Sequence, residues 1–317
     1  MENQLTNSVT ENTSTVDVII PVYRADDKLD SLIRMLYRQT IKPSKVIILH
    51  TEEYPGEELP IPLISESNII VVPIAKSSFD HGGTRKYGAS LSDADIMVFM
   101  TQDAIPLNEH MLANLIKPYA DPKVAATYAR QVADINASML ERLTRYYNYP
   151  KKSQIKSKED IDSLGIKAFF CSNVCASYRN KVYRELGGFV DKTIFNEDMI
   201  LAYEIIDRGY KIAYTASAKV EHSHNYSYLQ QLSRNFDLGV SHNQYIEIFG
   251  SVKSTSEGVR LVNMCLRYLI AKREYLMIPD LILTSAMKYL GYQLGKHYDI
   301  LPKPLVVSLS MNKSYWK

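Results

Sequence analysis

The first hundred residues alternate short β-branched runs with amphipathic stretches, and this alternation restricts the chain to a layered α/β fold. Val16–Ile20, Lys45–Leu49, Ile69–Val72 and Ile96–Met100 read as strands, most of them continuously apolar. Lys28–Gln39 and Thr84–Leu91 carry helical spacing between them. Strands joined through helices pair in parallel, so the expected architecture is a mostly parallel, Rossmann-like sheet with helices on both faces. Ligands of such sheets settle beyond the carboxyl ends of the strands. The residues to inspect are therefore Pro21-Val22-Tyr23, His50-Thr51-Glu52 and Thr101-Gln102-Asp103.

A chain of 317 residues can build one large α/β domain with an appendage. Met1–Thr15 is polar, with no basic region followed by an apolar run, and reads as a disordered leader and not a signal peptide. Residues 16–250 form the expected α/β domain, and residues 251–317 a basic helical extension. That extension holds ten Lys or Arg against four Asp or Glu, although the whole chain carries only +2. Near-neutrality argues against nucleic-acid binding. Three cysteines, Cys171, Cys175 and Cys265, have no paired ligand spacing and fit buried thiols in a reducing compartment. No run approaches the roughly 18 apolar residues of a spanning helix. The expected location is cytoplasmic, peripheral on the inner face of the cell membrane.

Further along, Ser138–Asp162 reads as a helix followed by a mobile, lysine-bearing loop that could act as a lid. Ala168–Tyr178 reads as a strand, and Lys181–Leu186 as a short helix stopped by Gly187-Gly188. Met199, Ala202, Tyr203 and Ile206 mark a helix with Asn196 as its N-cap. Gly258–Gly295 is helical again, interrupted near Pro279.

Four features can carry chemistry. Asp103 follows a buried strand, where a carboxylate can hold Mg²⁺ or Mn²⁺ against a diphosphate. Glu197-Asp198 opens a helix, whose field favours an ionised carboxylate able to accept a proton. His222 and His224 have period-two spacing and share one face, so both can address one ion or phosphate. Phe79-Asp80-His81-Gly82-Gly83-Thr84-Arg85 opens a helix with basic character, attractive to anions yet without P-loop spacing. Singly, each is as readily a turn residue, a helix-end charge, a surface histidine or an ordinary loop. No GxGxxG follows the first strand, which argues against a dinucleotide oxidoreductase.

Taken in order, Ile19-Ile20-Pro21-Val22-Tyr23, Thr101-Gln102-Asp103-Ala104, Asn196-Glu197-Asp198 and His222-Ser223-His224 resemble family 2 glycosyltransferases over about residues 16–243. The Phe79–Arg85 segment and the HSH triplet are similar to bacterial rhamnosyltransferases of cell-wall and capsular polysaccharide assembly. The resemblance implies a GT-A fold and an inverting, metal-dependent transferase. It implies that Asp198 is the general base, with Glu197 beside it toward the acceptor. Asp103, His222 and His224 would hold Mg²⁺ or Mn²⁺, and Pro21, Tyr23, Thr51, Arg85 and Gln102 would line the nucleotide. The donor would be a dTDP- or UDP-sugar, by resemblance dTDP-rhamnose, and the acceptor a lipid-linked glycan. Thr101 replaces the first acid of the family's DxD motif, and His50-Thr51 replaces the acidic pair after the second strand. A non-catalytic nucleotide-sugar-binding or scaffolding subunit is the alternative. In the extension, Arg267, Lys272, Arg273 and Lys288 among Leu266, Leu269, Ile270, Leu276, Leu281 and Leu283 suit an anionic membrane surface, packing on the catalytic domain, or a homodimer contact.

Overall fold

A computed structural model describes residues 14–59, 67–250 and 255–316. Residues 1–13 of the expected leader and the expected boundary at 250/251 lie outside the described residues. Thr15 does not belong to a leader: its backbone N–H and hydroxyl both donate to Asp95 at 2.9 Å, fixing the entry to the first strand.

The elements run β1 (Val16–Tyr23), α1 (Asp27–Tyr37), β2 (Lys45–Glu52), β3 (Ile69–Ala75), α2 (His81–Ser90), β4 (Ile96–Met100) and β5 (Ile105–Pro106). Then come α3 (Met111–Ile116), β6 (Val124–Val132), α4 (Met139–Asn148), β7 (Gln154–Lys156), α5 (Ile161–Leu164), β8 (Cys175–Arg179) and α6 (Asn180–Glu185). The chain continues through α7 (Glu197–Asp207), β9 (Lys211–Glu221), α8 (Tyr228–Gln244), α9 (Ile246–Phe249), α10 (Thr255–Lys272), α11 (Ile278–Lys296) and α12 (Lys303–Leu309). The sheet order is β3-β2-β1-β4-β8-β6-β9-β5, with β7 added on β9. β1 pairs in parallel with β2 and β4, and β2 with β3, whereas β8 runs antiparallel between β4 and β6. Pro73 is accommodated because β3 is an edge strand.

Each central strand buries both faces. Ile19, Ile47, Leu49 and Phe99 point into one core with Tyr178, Tyr183 and Phe189; Val18, Ile20, Ile48 and Val98 point into the other under α1 and α3. This two-sided burial explains the continuous apolar runs.

Three sequence readings are corrected. Ala168–Tyr178 is not one strand: Gly165–Phe169 is a 3-10 turn, β8 begins only at Cys175, and irregular backbone lies between. Asn196 does not cap α7 with its side chain. It sits in the left-handed region at φ 67° and donates instead to the Ser241 hydroxyl at 3.1 Å. The stretch after α4 is pinned, not a free lid, because β7 pairs antiparallel with β9. The buried Lys156 ammonium also donates to the carbonyls of Lys167 and Phe170.

The helices beyond residue 254 pack on the rest of the molecule. Leu140 and Leu143 of α4 share a core with Cys265, Leu269 and Leu281, and α11 lies along α8. Among the described residues no helix is long and apolar enough to cross a membrane.

Candidate active site

Asp103 sits in the turn after β4, and the chain leaving β9 carries His222 and His224 back to it. His222 continues the ladder by donating its N–H to the Val132 carbonyl at 2.9 Å. Nε2 of each histidine lies 3.5 Å from Asp103 Oδ2, and the ligand atoms of the three residues fall within 4.8 Å of one another. The tautomer of His222 follows from Gln131. Gln131 Nε2 donates to the Ser172 hydroxyl at 3.0 Å, and its Oε1 accepts from Arg145, so the contact at 3.1 Å must be His222 Nδ1–H donating to Oε1. Nε2 therefore presents a lone pair toward a carboxylate. Burial pushes the pKa values of both histidines down, which favours neutral imidazoles. Burial raises the Asp103 carboxyl, but the positive charge that His222 and His224 carry when protonated outweighs it and holds the group below the usual range. The ligand atoms of two imidazoles and a carboxylate converge, and a divalent cation fits that donor set.

The second cluster is at the start of α7. Glu197 is buried between Arg85, whose Nη1 is 3.2 Å from its carboxylate, and Asn173, whose side-chain amide donates at 3.2 Å. Asp198 is half-buried; its Oδ2 accepts from the Asn173 backbone N–H at 3.0 Å and its Oδ1 from the Met199 N–H at 2.8 Å. Burial raises the Asp198 pKa and the adjacent Glu197 anion raises it further, while Arg85 helps keep Glu197 ionised. The pair thus splits into an enclosed carboxylate paired with Arg85 and a half-buried one of raised basicity.

The glycine loop holds this cluster in place. Asp80 caps α2 and also accepts the backbone N–H groups of Lys192 (2.9 Å) and Thr193 (3.0 Å), tying α2 to the loop that leads into Asn196. A Cβ on Gly82 would lie 1.8 Å from the Val190 carbonyl oxygen, so only glycine permits that approach.

Both clusters meet on one short segment. Ser172 receives Gln131 from the histidine side, Asn173 holds Asp198 and Glu197, and the Val174 carbonyl accepts the Thr101 N–H at 3.2 Å in the turn that carries Asp103. Asp103 and Asp198 therefore flank a common stretch of irregular backbone.

In the same turn as Asp103, Gln102 Oε1 accepts the Tyr23 N–H at 2.8 Å, which makes Gln102 a clamp on the β1 terminus. Pro21 and Tyr23 are half-buried there, and Thr51 is buried with its hydroxyl lacking a partner among the described residues. β2 runs on to Glu52, three residues past its expected end, which places Glu53 just beyond the strand. Glu53 accepts from the Tyr23 hydroxyl, from Arg24 at 2.7 Å and from Lys76 at 2.6 Å, and these bonds hold its carboxyl far below the usual range.

Residues 17–187 match the family described as Glycosyl transferase family 2. The chain belongs to glycosyltransferase family 2. This glycosyltransferase is 40% identical over 306 residues to the O-antigen chain rhamnosyltransferase RfbN of Salmonella typhimurium, covering 95% of this chain and 96% of that one. It is 41% identical over 304 residues to the O-antigen chain rhamnosyltransferase WbaN of Salmonella anatum, covering 94% and 95%. Its GT-A fold is shared with the mannosyltransferase PcManGT from Pyrobaculum calidifontis, solved in complex with GDP-Man and Mn²⁺. That match has a TM-score of 0.62 at 15% identity and covers 91% and 88% of the two chains. The chain is an enzyme of glycosyl transfer, which disfavours the scaffolding alternative.

Within the glycosyltransferase, Asp103, His222 and His224 come together as the spacing suggested, and Glu197 and Asp198 stand together at the helix start. Arg85 is paired with Glu197 and donates to the His81 carbonyl at 2.9 Å. Sequence reasoning missed Gln131, Ser172, Asn173 and Glu53. Only Glu53 left a signal, since Glu52-Glu53 follows an apolar run whose end was placed too early.

Proposed function

We propose that this enzyme moves L-rhamnose from dTDP-rhamnose, with inversion, to a hydroxyl of a lipid-linked polysaccharide precursor at the cytoplasmic face of a membrane. The rhamnosyl and O-antigen assignments rest on the names of RfbN and WbaN. The observation that carries the chemistry is Asp198, half-buried and of raised basicity, held across Ser172–Val174 from the Asp103, His222 and His224 set. Asp198 accepts the proton of the acceptor hydroxyl as its oxygen attacks the anomeric carbon, and general-base catalysis of this kind contributes about 10²–10⁴-fold. Glu197, neutralised by Arg85, keeps Asp198 basic and in place. Asp103, His222 and His224 would hold Mg²⁺ or Mn²⁺, which would stabilise negative charge on the departing diphosphate. Tyr23, Pro21 and Thr51, steadied by Gln102 and Glu53, would receive the nucleoside.

The turn between α10 and α11 suits the membrane. Leu276 is 95% exposed at its tip, beside exposed Tyr275, with Lys272 and Arg273 against the single acid Glu274, a net basic and apolar combination that anionic lipid accommodates. Incubating the full chain and Mn²⁺ with a panel of dTDP-, UDP- and GDP-sugars and a lipid-linked glycan, with products read by mass spectrometry, tests the donor. A deoxyhexose added only from dTDP-rhamnose is expected. Transfer of a hexose from another donor, or of nothing, would overturn the assignment.

A further inference from the structure

Next to the histidine pair, three cations gather from three helices. Arg145 of α4 binds Glu141 at 2.6 Å and reaches Gln131, the residue that orients His222. Arg234 of α8 stacks its guanidinium 4.9 Å from the centre of the Phe195 ring, immediately before Asn196-Glu197-Asp198, and its charge acts on His222, His224 and Tyr226. Lys288 of α11 is half-buried, and the charges that reach it include Glu141, Arg234 and Arg145.

The helix crossing dictates this gathering. A Cβ on Gly291, one turn beyond Lys288, would lie 2.2 Å from the Leu232 carbonyl oxygen, so α11 is pressed onto the same turn of α8 that carries Arg234. Leu140 and Leu143 of α4 pack on the same C-terminal helices through Leu281, which brings Arg145 to the junction. Among the described residues neither Arg234 nor Lys288 has a carboxylate within ion-pair distance, and Glu141 is already engaged by Arg145. Partly desolvated cations with no carboxylate at ion-pair distance are costly, and a phosphate offers several oxygens to more than one of them at once.

We propose that Arg145, Arg234 and Lys288 form a binding site for a phosphate or diphosphate ester, separate from the Asp103, His222 and His224 set. The C-terminal helices thereby complete the substrate site. Only the source of the ester, donor nucleotide or lipid-linked acceptor, rests on the glycosyl-transfer reading. The site itself is tested without turnover.

The experiment is calorimetric titration of the full chain with inorganic pyrophosphate in excess EDTA, which removes any metal-borne binding. Wild type is expected to bind. Lys288→Gln and Arg234→Gln should each weaken binding by about ten-fold or more, the scale of a charge-assisted contact, while Arg234→Lys should retain part of it. Unchanged melting curves would establish that the variants are folded. Failure of the wild type to bind, or equal binding by wild type and both Gln variants, would overturn the proposal. Parallel titrations with Mn²⁺ distinguish the sources: Lys288→Gln weakens a short-chain prenyl diphosphate if the ester belongs to the acceptor, and dTDP if it belongs to the donor. Equal affinity for both in variant and wild type would also overturn the proposal.

Discussion

At the residue scale, the proposed chemistry turns on two adjacent carboxylates with unequal surroundings. Asp198 must be ionised to accept a proton, and burial together with Glu197 raises its pKa, so activity is lost on acidification at a higher pH than for an ordinary aspartate. Glu197→Gln removes one of the two causes and leaves Arg85 positive. The acid limb of kcat/KM should then move to lower pH, and a limb that stays or moves upward in the pH profile would contradict the assignment. Gln131 supports a prediction on the other cluster. Its carbonyl holds the His222 proton on Nδ1, so Gln131→Leu should weaken Mn²⁺ affinity by about 10–100-fold, measured by titration under conditions where the variant is folded. Residues with chemistry of their own, such as Asp103, Asp198 and the two histidines, stood out in the sequence because their types and spacing are informative. Gln131, Ser172 and Asn173 did not, because their roles arise from long-range contacts that local pattern does not encode. Arg85 was legible as a cation near a glycine loop, yet which anion it faces depended on how α2 meets α7.

At the scale of elements, the apolar runs of β1, β2 and β4 were readable because both sheet faces are buried. The run before β8 misled because it contains side chains buried on an irregular segment: Ala168, Phe169 and Cys171 lie in the core without belonging to a strand. Apolar content there reports burial, not extended backbone. The 3-10 turn and the free segment after it bring Ser172 and Asn173 to the site. Lys156 lies in the stretch read as a mobile, lysine-bearing loop; three acceptors, two carbonyls and the Tyr128 hydroxyl, make its burial tolerable. The α8–α11 contact is held by glycines. A Cβ on Gly295 would lie 2.0 Å from the Phe236 carbonyl oxygen, so Gly295→Ala should destabilise the chain by about 1–3 kcal/mol in denaturant unfolding. No loss there would mean that the helices are not closely packed.

For the whole molecule, the C-terminal helices bridge the catalytic domain and the surroundings. Their inner faces join cores with α4 and α8, and their tip exposes Tyr275 and Leu276 among basic residues. Leu276→Asp, a change at a site that contributes nothing to the core, should reduce pelleting with anionic vesicles while leaving the melting temperature unchanged. Equal pelleting of variant and wild type would count against membrane docking. The alternation of elements made the layered architecture legible, but how the extension packs was not, because an amphipathic basic helix looks the same whether it faces lipid or protein. The central claim, that Asp198 takes the acceptor proton beside a nucleotide held at the other edge of the cleft, is tested most directly by Asp198→Asn. Single-turnover transfer from dTDP-rhamnose should fall by about 10²–10⁴-fold with dTDP affinity nearly unchanged; undiminished transfer by the asparagine variant would contradict the account.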